Sequence, residues 1–162
     1  MISEKMNKAI NEQINKELYS AYLYVGMAAY ASSLSLNGIA NWFKVQTREE
    51  IEHATKFMNY ITEQGGKIVL KTIDAPEQKF TSVVGLFEKT LAHEKLVTAS
   101  INSLVTLAKK EGDAATEILL QWYVTEQVEE EANPTEILQK LEIGGKTGSS
   151  LLILDGILSQ RK

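Results

Sequence analysis

The sequence predicts an all-α protein, a four-helix bundle with a long crossover between its second and third helices and a short C-terminal fifth helix. Apolar residues recur every three to four positions along four long stretches, which is the spacing of amphipathic helices. The connections between these stretches are short, long and short, as a bundle with one crossover requires. At 162 residues the chain has the length of one domain. We expect that domain over residues 1–162, with the bundle at about 4–143 and the tail helix at about 147–159.

The first two helices have clear start and stop signals. Ser3 can cap the first helix, which should end at about Ser33 in a serine-rich turn. The second helix spans roughly 38–64 and ends before Gly65, which can take the left-handed conformation that closes a helix. The stretch after it has no helical period, and we expect an extended connection with a short β-like piece at Lys67–Ile73.

The second half of the chain predicts three more helices. The third spans about 82–111, and Asp113 can cap the fourth. Pro134 lies inside the fourth helix, where a proline removes one backbone hydrogen bond at a cost of about 3 kcal/mol or more. We therefore expect a kink or a break just after residues 130–132. After two glycines, the apolar tail over about 147–159 predicts the fifth helix.

The composition limits which partners and ligands the chain can have. Without cysteine it can form neither a disulfide nor a thiolate metal site, so carboxylates, histidine or glutamine must hold any metal. A formal net charge of −4 favours cations and argues against nucleic acid as a partner. The N-terminal MISEKMNKAI resembles neither a signal peptide nor a transit peptide, and no stretch has the apolar length of a membrane span. We expect a cytoplasmic protein that has no membrane partner.

The second helix carries a candidate half-site for a divalent metal. Glu50 and His53 are three residues apart, so they share one face of the helix. Carboxylate oxygens and neutral imidazole nitrogens suit iron, manganese or zinc. By itself the pair is weak evidence, because this spacing is also common on solvent-exposed helix faces.

The other three helices place polar residues within their apolar stripes. Glu17 interrupts the stripe of the first helix and Glu94 that of the third, while Gln127 and Glu130 repeat the three-residue spacing on the fourth. If one glutamate from each helix converges to about 5 Å, each ionised pair repels by roughly 3 kcal/mol at an effective dielectric constant near 20. A whole domain is stable by only about 5–15 kcal/mol. Such a cluster must hold cations or take up protons through raised pKa values.

Over essentially its whole length the chain resembles the prokaryotic non-haem ferritins. The resemblance lies in NEQINKELYSAYLY, REEIEHATKF, LQWYVTEQVEEE and the tail helix. It implies a ferritin-like bundle that assembles into a hollow shell of 24 subunits, with the tail helix around a symmetry axis and the crossover pairing subunits. It also implies that dioxygen or hydrogen peroxide oxidises Fe(II) at a di-iron centre within each subunit, and that the shell stores Fe(III) as hydrous ferric oxide.

The same resemblance implies which residues form this ferroxidase centre. The first iron would be held by Glu17, Glu50 and His53. The second would be held by Glu50, Glu94 and Glu130, so that Glu50 bridges the two metals.

Further residues match positions that ferritins use near the centre. Gln127 would lie beside the second iron, and a third iron site would use Glu49, Glu126, Glu129 and Glu130. Tyr24 matches a tyrosine that ferritins keep nearby, and either a part in the iron chemistry or simple core packing accounts for it.

Two departures separate this chain from the bacterioferritins. Those proteins carry a second Glu-x-x-His on the fourth helix, where this chain has Gln127 and lacks the imidazole. A neutral amide should hold the second iron less permanently, which suits a centre that passes iron onward. The methionine that binds haem in bacterioferritins is Glu52 here, so we expect no haem.

Other functions remain as alternatives. The first is a shell that stores iron or other cations without significant ferroxidase activity. A DNA-protecting mini-ferritin fits less well, since such proteins place iron ligands between subunits and typically lack a fifth helix. A rubrerythrin-like peroxidase would usually bring a cysteine-rich iron module, and this chain has no cysteine.

Overall fold

Five helices make up the regular structure of the described residues. The computed structural model describes residues 1–145 and 148–162. In order, the helices are α1 (Glu4–Ser33), α2 (Asn37–Glu63), α3 (Val83–Glu111), α4 (Ala114–Gly144) and α5 (Gly148–Leu158). The all-α prediction is confirmed, while the expected start of the tail helix at about Thr147 falls outside the described residues.

The predicted helix caps form. The Ser3 hydroxyl accepts a hydrogen bond from the Met6 backbone N–H at 3.0 Å, and the Asp113 carboxylate accepts one from Thr116 N–H at 3.0 Å. Gly65 follows α2 with a φ of 70°, in the left-handed region that favours glycine.

The prediction of a short β-like piece at Lys67–Ile73 is wrong, because the described residues contain no strand. Asparagine side chains of α1 pair with this backbone instead of a neighbouring strand. Asn11 accepts a hydrogen bond from Val69 N–H at 2.6 Å and donates one to the Lys67 carbonyl at 2.9 Å, while Asn7 accepts one from Lys67 N–H at 3.2 Å. An extended segment satisfied by side chains needs no sheet partner.

The break expected in the fourth helix after residues 130–132 is also wrong. α4 runs without interruption from Ala114 to Gly144, with a buried Pro134 inside it. Buried residues lie on both sides of the proline, among them Glu130 and Ile137. Tertiary packing supplies most of the stability of a helix in a folded protein, so it can outweigh one missing hydrogen bond.

The four long helices pack in two pairs, α1 along α2 and α3 along α4, and α1 also contacts α3. The short α5 lies against α2 and α4. Among the described residues, no helix combines the length and the apolar character needed to cross a membrane.

The interior divides into two apolar clusters. The tail cluster lies at the α5 end and includes Tyr24, Met27, Phe43, Phe87 and Leu154. The far cluster lies at the opposite end and includes Met6, Ile10, Phe57, Ile101 and Tyr123.

A layer of buried polar side chains separates the two clusters along every long helix. We call it the polar layer, and its main members are Gln13, Glu17, Gln46, Glu50, His53, Glu94, Gln127 and Glu130. In each helix these residues fall in sequence between those of the two clusters, except that Gln13 directly precedes Ile14 of the far cluster. The bundle is therefore apolar at both ends and polar in its middle.

Candidate metal centre

Four glutamates, one from each long helix, lie at the middle of the bundle. Glu17, Glu50 and Glu94 are each 1% exposed, and Glu130 is 4% exposed. Each stands at the inward position of its helix, flanked along the chain by core residues of both clusters. The polar layer therefore removes four carboxyl groups from water almost completely, which is costly unless protons or cations accompany them.

Two groups of possible metal ligands share one member of this layer. Ligand atoms of Glu17, Glu50 and His53 lie within 4.8 Å of one another, and so do those of Glu50, Glu94 and Glu130. The His53 Nδ1 atom is 3.5 Å from the nearer Glu50 oxygen. Glu50 belongs to both groups, and a carboxylate with two oxygens can bridge two cations.

The residues proposed for a third iron are only partly brought together. Glu126 and Glu130 form a group with His53, again within 4.8 Å. Glu49 instead forms an ion pair with Arg161 at 2.5 Å, and Glu129 is exposed. Among the described residues, neither Glu49 nor Glu129 belongs to such a group.

Gln127 and Tyr24 both contact Glu94. The Gln127 amide nitrogen donates to the Glu94 carbonyl at 3.2 Å and lies 3.4 Å from its carboxylate. The Tyr24 hydroxyl donates to the other carboxylate oxygen of Glu94. Tyr24 is also fully buried and stacks on Phe43 with ring centroids 6.0 Å apart, so it is both a core residue and a partner of a candidate ligand.

Burial and mutual repulsion favour the neutral form of these carboxyl groups. Burial, and after it the charge of Glu50, raises the pKa of Glu17 to about 8. Burial and then the charge of Glu130 raise the pKa of Glu50 to about 8. Burial and then the charge of Glu94 raise the pKa of Glu130 to about 8, while the pKa of Glu94 itself lies well above its ordinary value, mainly through burial.

One oxygen in the layer lacks a partner. The Oε2 atom of Glu17 is buried, and no hydrogen-bond partner for it lies among the described residues. Its other oxygen accepts a hydrogen bond from the Gln13 amide at 2.9 Å. A buried carboxylate oxygen that is left free fits a ligand position for a cation.

Two glutamines of the polar layer were not predicted from the sequence. Gln13 donates to Glu17, and the Gln46 amide donates to Glu50 at 3.1 Å and to Glu130 at 2.5 Å. Each stands four residues before the candidate ligand on its own helix, which places the two side chains on one face. A search for glutamine four residues before each inward glutamate would have found both.

His93, the second histidine of the chain, lies outside the metal groups. Its Nε2 atom is 2.7 Å from the Ser20 hydroxyl, and burial lowers the pKa of His93 to about 4. It is therefore a neutral, hydrogen-bonded imidazole beside Tyr24 and Tyr19. Its ring therefore contacts neighbouring side chains, and it belongs to none of the ligand groups found among the described residues.

A four-helix bundle with buried carboxylates and an imidazole at its centre defines a class of proteins that bind metals within one subunit. Residues 7–143 match the family described as Ferritin-like domain. The chain is 40% identical over 155 residues to a bacterial non-heme ferritin from Campylobacter jejuni, which covers 96% of this chain and 93% of that relative. It is 37% identical over 159 residues to a bacterial non-heme ferritin from Escherichia coli O157:H7, covering 98% and 96%.

Solved structures agree with these relatives. The chain is similar to an open-pore ferritin from the hyperthermophilic archaeon Archaeoglobus fulgidus, with a TM-score of 0.98, 46% sequence identity and coverage of 100% of both chains. This chain belongs to the ferritin family. The predicted resemblance to prokaryotic non-haem ferritins and the predicted ferritin-like bundle are both confirmed.

Proposed function

We propose that this protein stores iron and oxidises Fe(II) at the polar layer, as a ferroxidase. The observation that carries the proposal is the position of Glu50, which belongs to both groups of possible ligands. Two redox metals held close together by a shared carboxylate can each give one electron to the same oxidant. Iron here is the substrate and the cargo of the protein.

The two groups define the roles that we assign. One Fe(II) is held by Glu17, Glu50 and His53, and the other by Glu50, Glu94 and Glu130. Gln127 stands beside the second position and orients Glu94 through its amide hydrogen bond. The free oxygen of Glu17 and the neutralised state of the metal-free carboxyl groups support cation binding, because two divalent ions replace the protons that these groups otherwise hold.

The reaction transfers two electrons in each cycle. Two Fe(II) become two Fe(III), and dioxygen takes the two electrons together with two protons and leaves as hydrogen peroxide. When hydrogen peroxide is the oxidant, it takes two electrons and two protons and leaves as two waters. Tyr24 donates to Glu94 from within the core, and we assign it a part in orienting this ligand.

A groove offers iron a route away from the centre. It has a volume of about 690 Å³ between α2 and α4, and the His53 side chain is part of its wall. Four carboxylates line it together with neutral side chains and Lys56, and these four are Glu49, Glu52, Glu63 and Glu126. We propose that a third iron binds near Glu126 and Glu130, with Glu49 and Glu129 as further ligands once they turn toward it.

We further propose a cytoplasmic shell of 24 copies without haem. The similar A. fulgidus protein is described as an open-pore ferritin, and a pore implies an enclosing assembly. The tail helix supports assembly, because Leu152, Ile153 and Ile157 are each more than half exposed in the single chain. Such an apolar face suits packing against other subunits at a symmetry axis.

Removing the shared ligand and its neighbour tests the enzyme activity. The double variant Glu50→Ala, His53→Ala should slow stopped-flow Fe(II) oxidation by at least about 100-fold, since loss of even an indirect partner of a metal ligand typically costs about 10–100-fold. Glu88→Ala, which removes an exposed glutamate of α3, is the matched control and should oxidise at the wild-type rate. Wild-type rates in the double variant would overturn the proposed site.

The alternative of a storage shell without ferroxidase activity gives a different result. Such a protein would take up Fe(II) without rapid oxidation of two irons per chain. Size-exclusion mass measurement before and after Fe(II) addition, with colour development followed in the same sample, reports assembly and mineral formation together.

A further inference from the structure

The C-terminal segment of the chain lies along the first half of α2. The Asp155 carboxylate accepts a hydrogen bond from Ile39 N–H at 2.8 Å and so caps α2, whose own N-cap residue offers no side-chain bond. At Gly38 the two backbones approach so closely that an added Cβ would lie 1.7 Å from the Asp155 carbonyl oxygen. Asn41 donates to the Arg161 carbonyl at 2.9 Å. These contacts fix where the last residues run.

Arg161 reaches from this segment toward the polar layer. Its guanidinium carbon lies over the Trp42 ring, 4.5 Å from the ring centroid, which is within the distance of a cation–π interaction. Its Nη1 atom donates to the Gln46 side-chain oxygen at 2.9 Å, and its Nη2 atom pairs with Glu49 at 2.5 Å. The side chain is only 20% exposed, so water competes weakly for these bonds.

Gln46 connects Arg161 to two candidate iron ligands. Its side chain is completely buried, and its amide nitrogen donates to both Glu50 and Glu130. A guanidinium can only donate hydrogen bonds, so it must take the amide oxygen of Gln46. The amide is then forced to present both of its N–H groups to the carboxylates.

We propose that Arg161 is a positioning residue for the metal centre, acting through the Gln46 amide on Glu50 and Glu130. The inference rests on the proposed function in that it takes these carboxylates as metal ligands. With Arg161 in place, the amide has one orientation and both carboxylates have a fixed donor. Without Arg161, the amide can turn and direct its oxygen at a carboxylate, which removes the donor and adds repulsion.

The proposal predicts a change in metal binding that precedes any oxidation. Hydrogen-bond partners of metal ligands typically change metal affinity by about 10–100-fold when they are lost. Arg161 lies beyond α5, which ends at Leu158, so a residue outside the five helices would control the geometry of a centre in the middle of the bundle.

The test uses Co(II) as a probe in the full-length protein without oxygen. Calorimetric titration gives the affinity, and the visible Co(II) bands report the coordination geometry. Arg161→Gln should weaken Co(II) binding by about 10-fold and change the bands. Lys162→Gln, which removes the adjacent positive charge, is the matched control and should leave both unchanged. If the two variants had the same Co(II) affinity and the same visible bands, the proposal would be overturned.

A double-variant cycle distinguishes the Gln46 route from loosening of the tail. If Arg161 acts through the amide, Arg161→Gln should change Co(II) affinity by less than about twofold in a Gln46→Ala background, because coupled residues are not additive. In a Glu49→Gln background, which removes a proposed ligand of the third site, Arg161→Gln should still weaken Co(II) binding at the two central positions by about 10-fold. Full additivity with Gln46→Ala, or loss of the effect with Glu49→Gln, would overturn the proposed route.

Folding is checked on every variant by elution volume and circular dichroism. If Arg161→Gln does not fold, Arg161→Met repeats the test, since it keeps an apolar body against Trp42 and removes every donor. The Co(II) measurements need no oxidation, so wild-type protein that binds Co(II) but does not oxidise Fe(II) would refute the ferroxidase and still test Arg161.

Discussion

The polar layer and the apolar clusters beside it are built from the same four helices but contribute to the free energy of unfolding with opposite signs. In the far cluster, Phe57 and Tyr123 stack with ring centroids 3.9 Å apart, and burial of such rings stabilises the fold. In the polar layer, burial raises the pKa of Glu17 and Glu50 far above the ordinary value. The clusters therefore stabilise the bundle, whereas the buried carboxyl groups of the polar layer destabilise it when no metal is bound.

Hydrogen bonds from glutamine side chains reduce the cost of burying the carboxyl groups of the polar layer. Gln13 donates to Glu17 and Gln127 to Glu94, and Gln46 serves the remaining two carboxylates. A neutral amide satisfies a buried carboxylate oxygen without a permanent positive charge that would repel an arriving cation. The clusters therefore fill space, while the layer keeps carboxyl oxygens in place that can exchange their protons for cations.

The largest effect on stability should come from the far cluster. Phe57→Ala leaves a cavity beside Tyr123 and should lower the free energy of unfolding by about 3–5 kcal/mol. Guanidinium denaturation of the metal-free variant and of wild type at the same protein concentration measures this loss in the free energy of unfolding. A loss below about 1 kcal/mol would contradict the view that this cluster holds the bundle together.

The polar layer should respond in the opposite direction. Glu17→Gln should stabilise the metal-free protein at pH 7 by about 3 kcal/mol, because a tenfold change in an ionisation constant corresponds to about 1.4 kcal/mol. The pKa of Glu17 is raised from 4.5 to about 8 in the fold, so ionisation favours the unfolded chain. This cost is absent below pH 4.5, grows as the pH rises toward about 8 and is constant above it.

Two controls sharpen the Glu17→Gln comparison. At pH 4 the gain should disappear, because Glu17 is then largely neutral in both states. With saturating Co(II) under anaerobic conditions wild type should gain more stability than the variant, since a ligand that binds only the folded state stabilises it. If the variant were less stable than wild type in the metal-free form at pH 7, the Glu17 carboxyl group would not destabilise the fold as we predict.

The smallest effect is expected at the start of α4, at the edge of the far cluster, where the Thr116 hydroxyl lies 2.7 Å from the hydroxyl of Tyr60. Asp113→Ala removes the cap of α4, where the carboxylate accepts hydrogen bonds from the Thr116 N–H and hydroxyl groups. Loss of such a cap typically costs about 1 kcal/mol. Thermal unfolding should show a small downward shift, and Fe(II) oxidation at 25 °C should be unchanged. A shift as large as that of Phe57→Ala would mean that α4 depends on its cap more than on its core contacts.

The sequence by itself determined the helices and most of the candidate site. Helical periodicity and caps such as Ser3 and Asp113 are local properties, so they can be read from neighbouring residues. The inward positions of Glu17 and Glu94 followed from their place within apolar stripes. Apolar residues of α3 and α4 are not all buried, since Leu96, Ile118 and Val128 are 68–75% exposed in the single chain. A period does not say which apolar face meets the bundle.

Only the tertiary structure decided the features that depend on distant partners. The backbone after α2 is held by Asn11 of α1 instead of a strand, and α4 passes Pro134 because its neighbours pack on both sides. The contact of Arg161 with Gln46 joins residues 115 positions apart, and no local pattern could indicate it. Local signals fix an element and its faces, whereas the pairing of long-range hydrogen bonds is settled only when the helices are packed together.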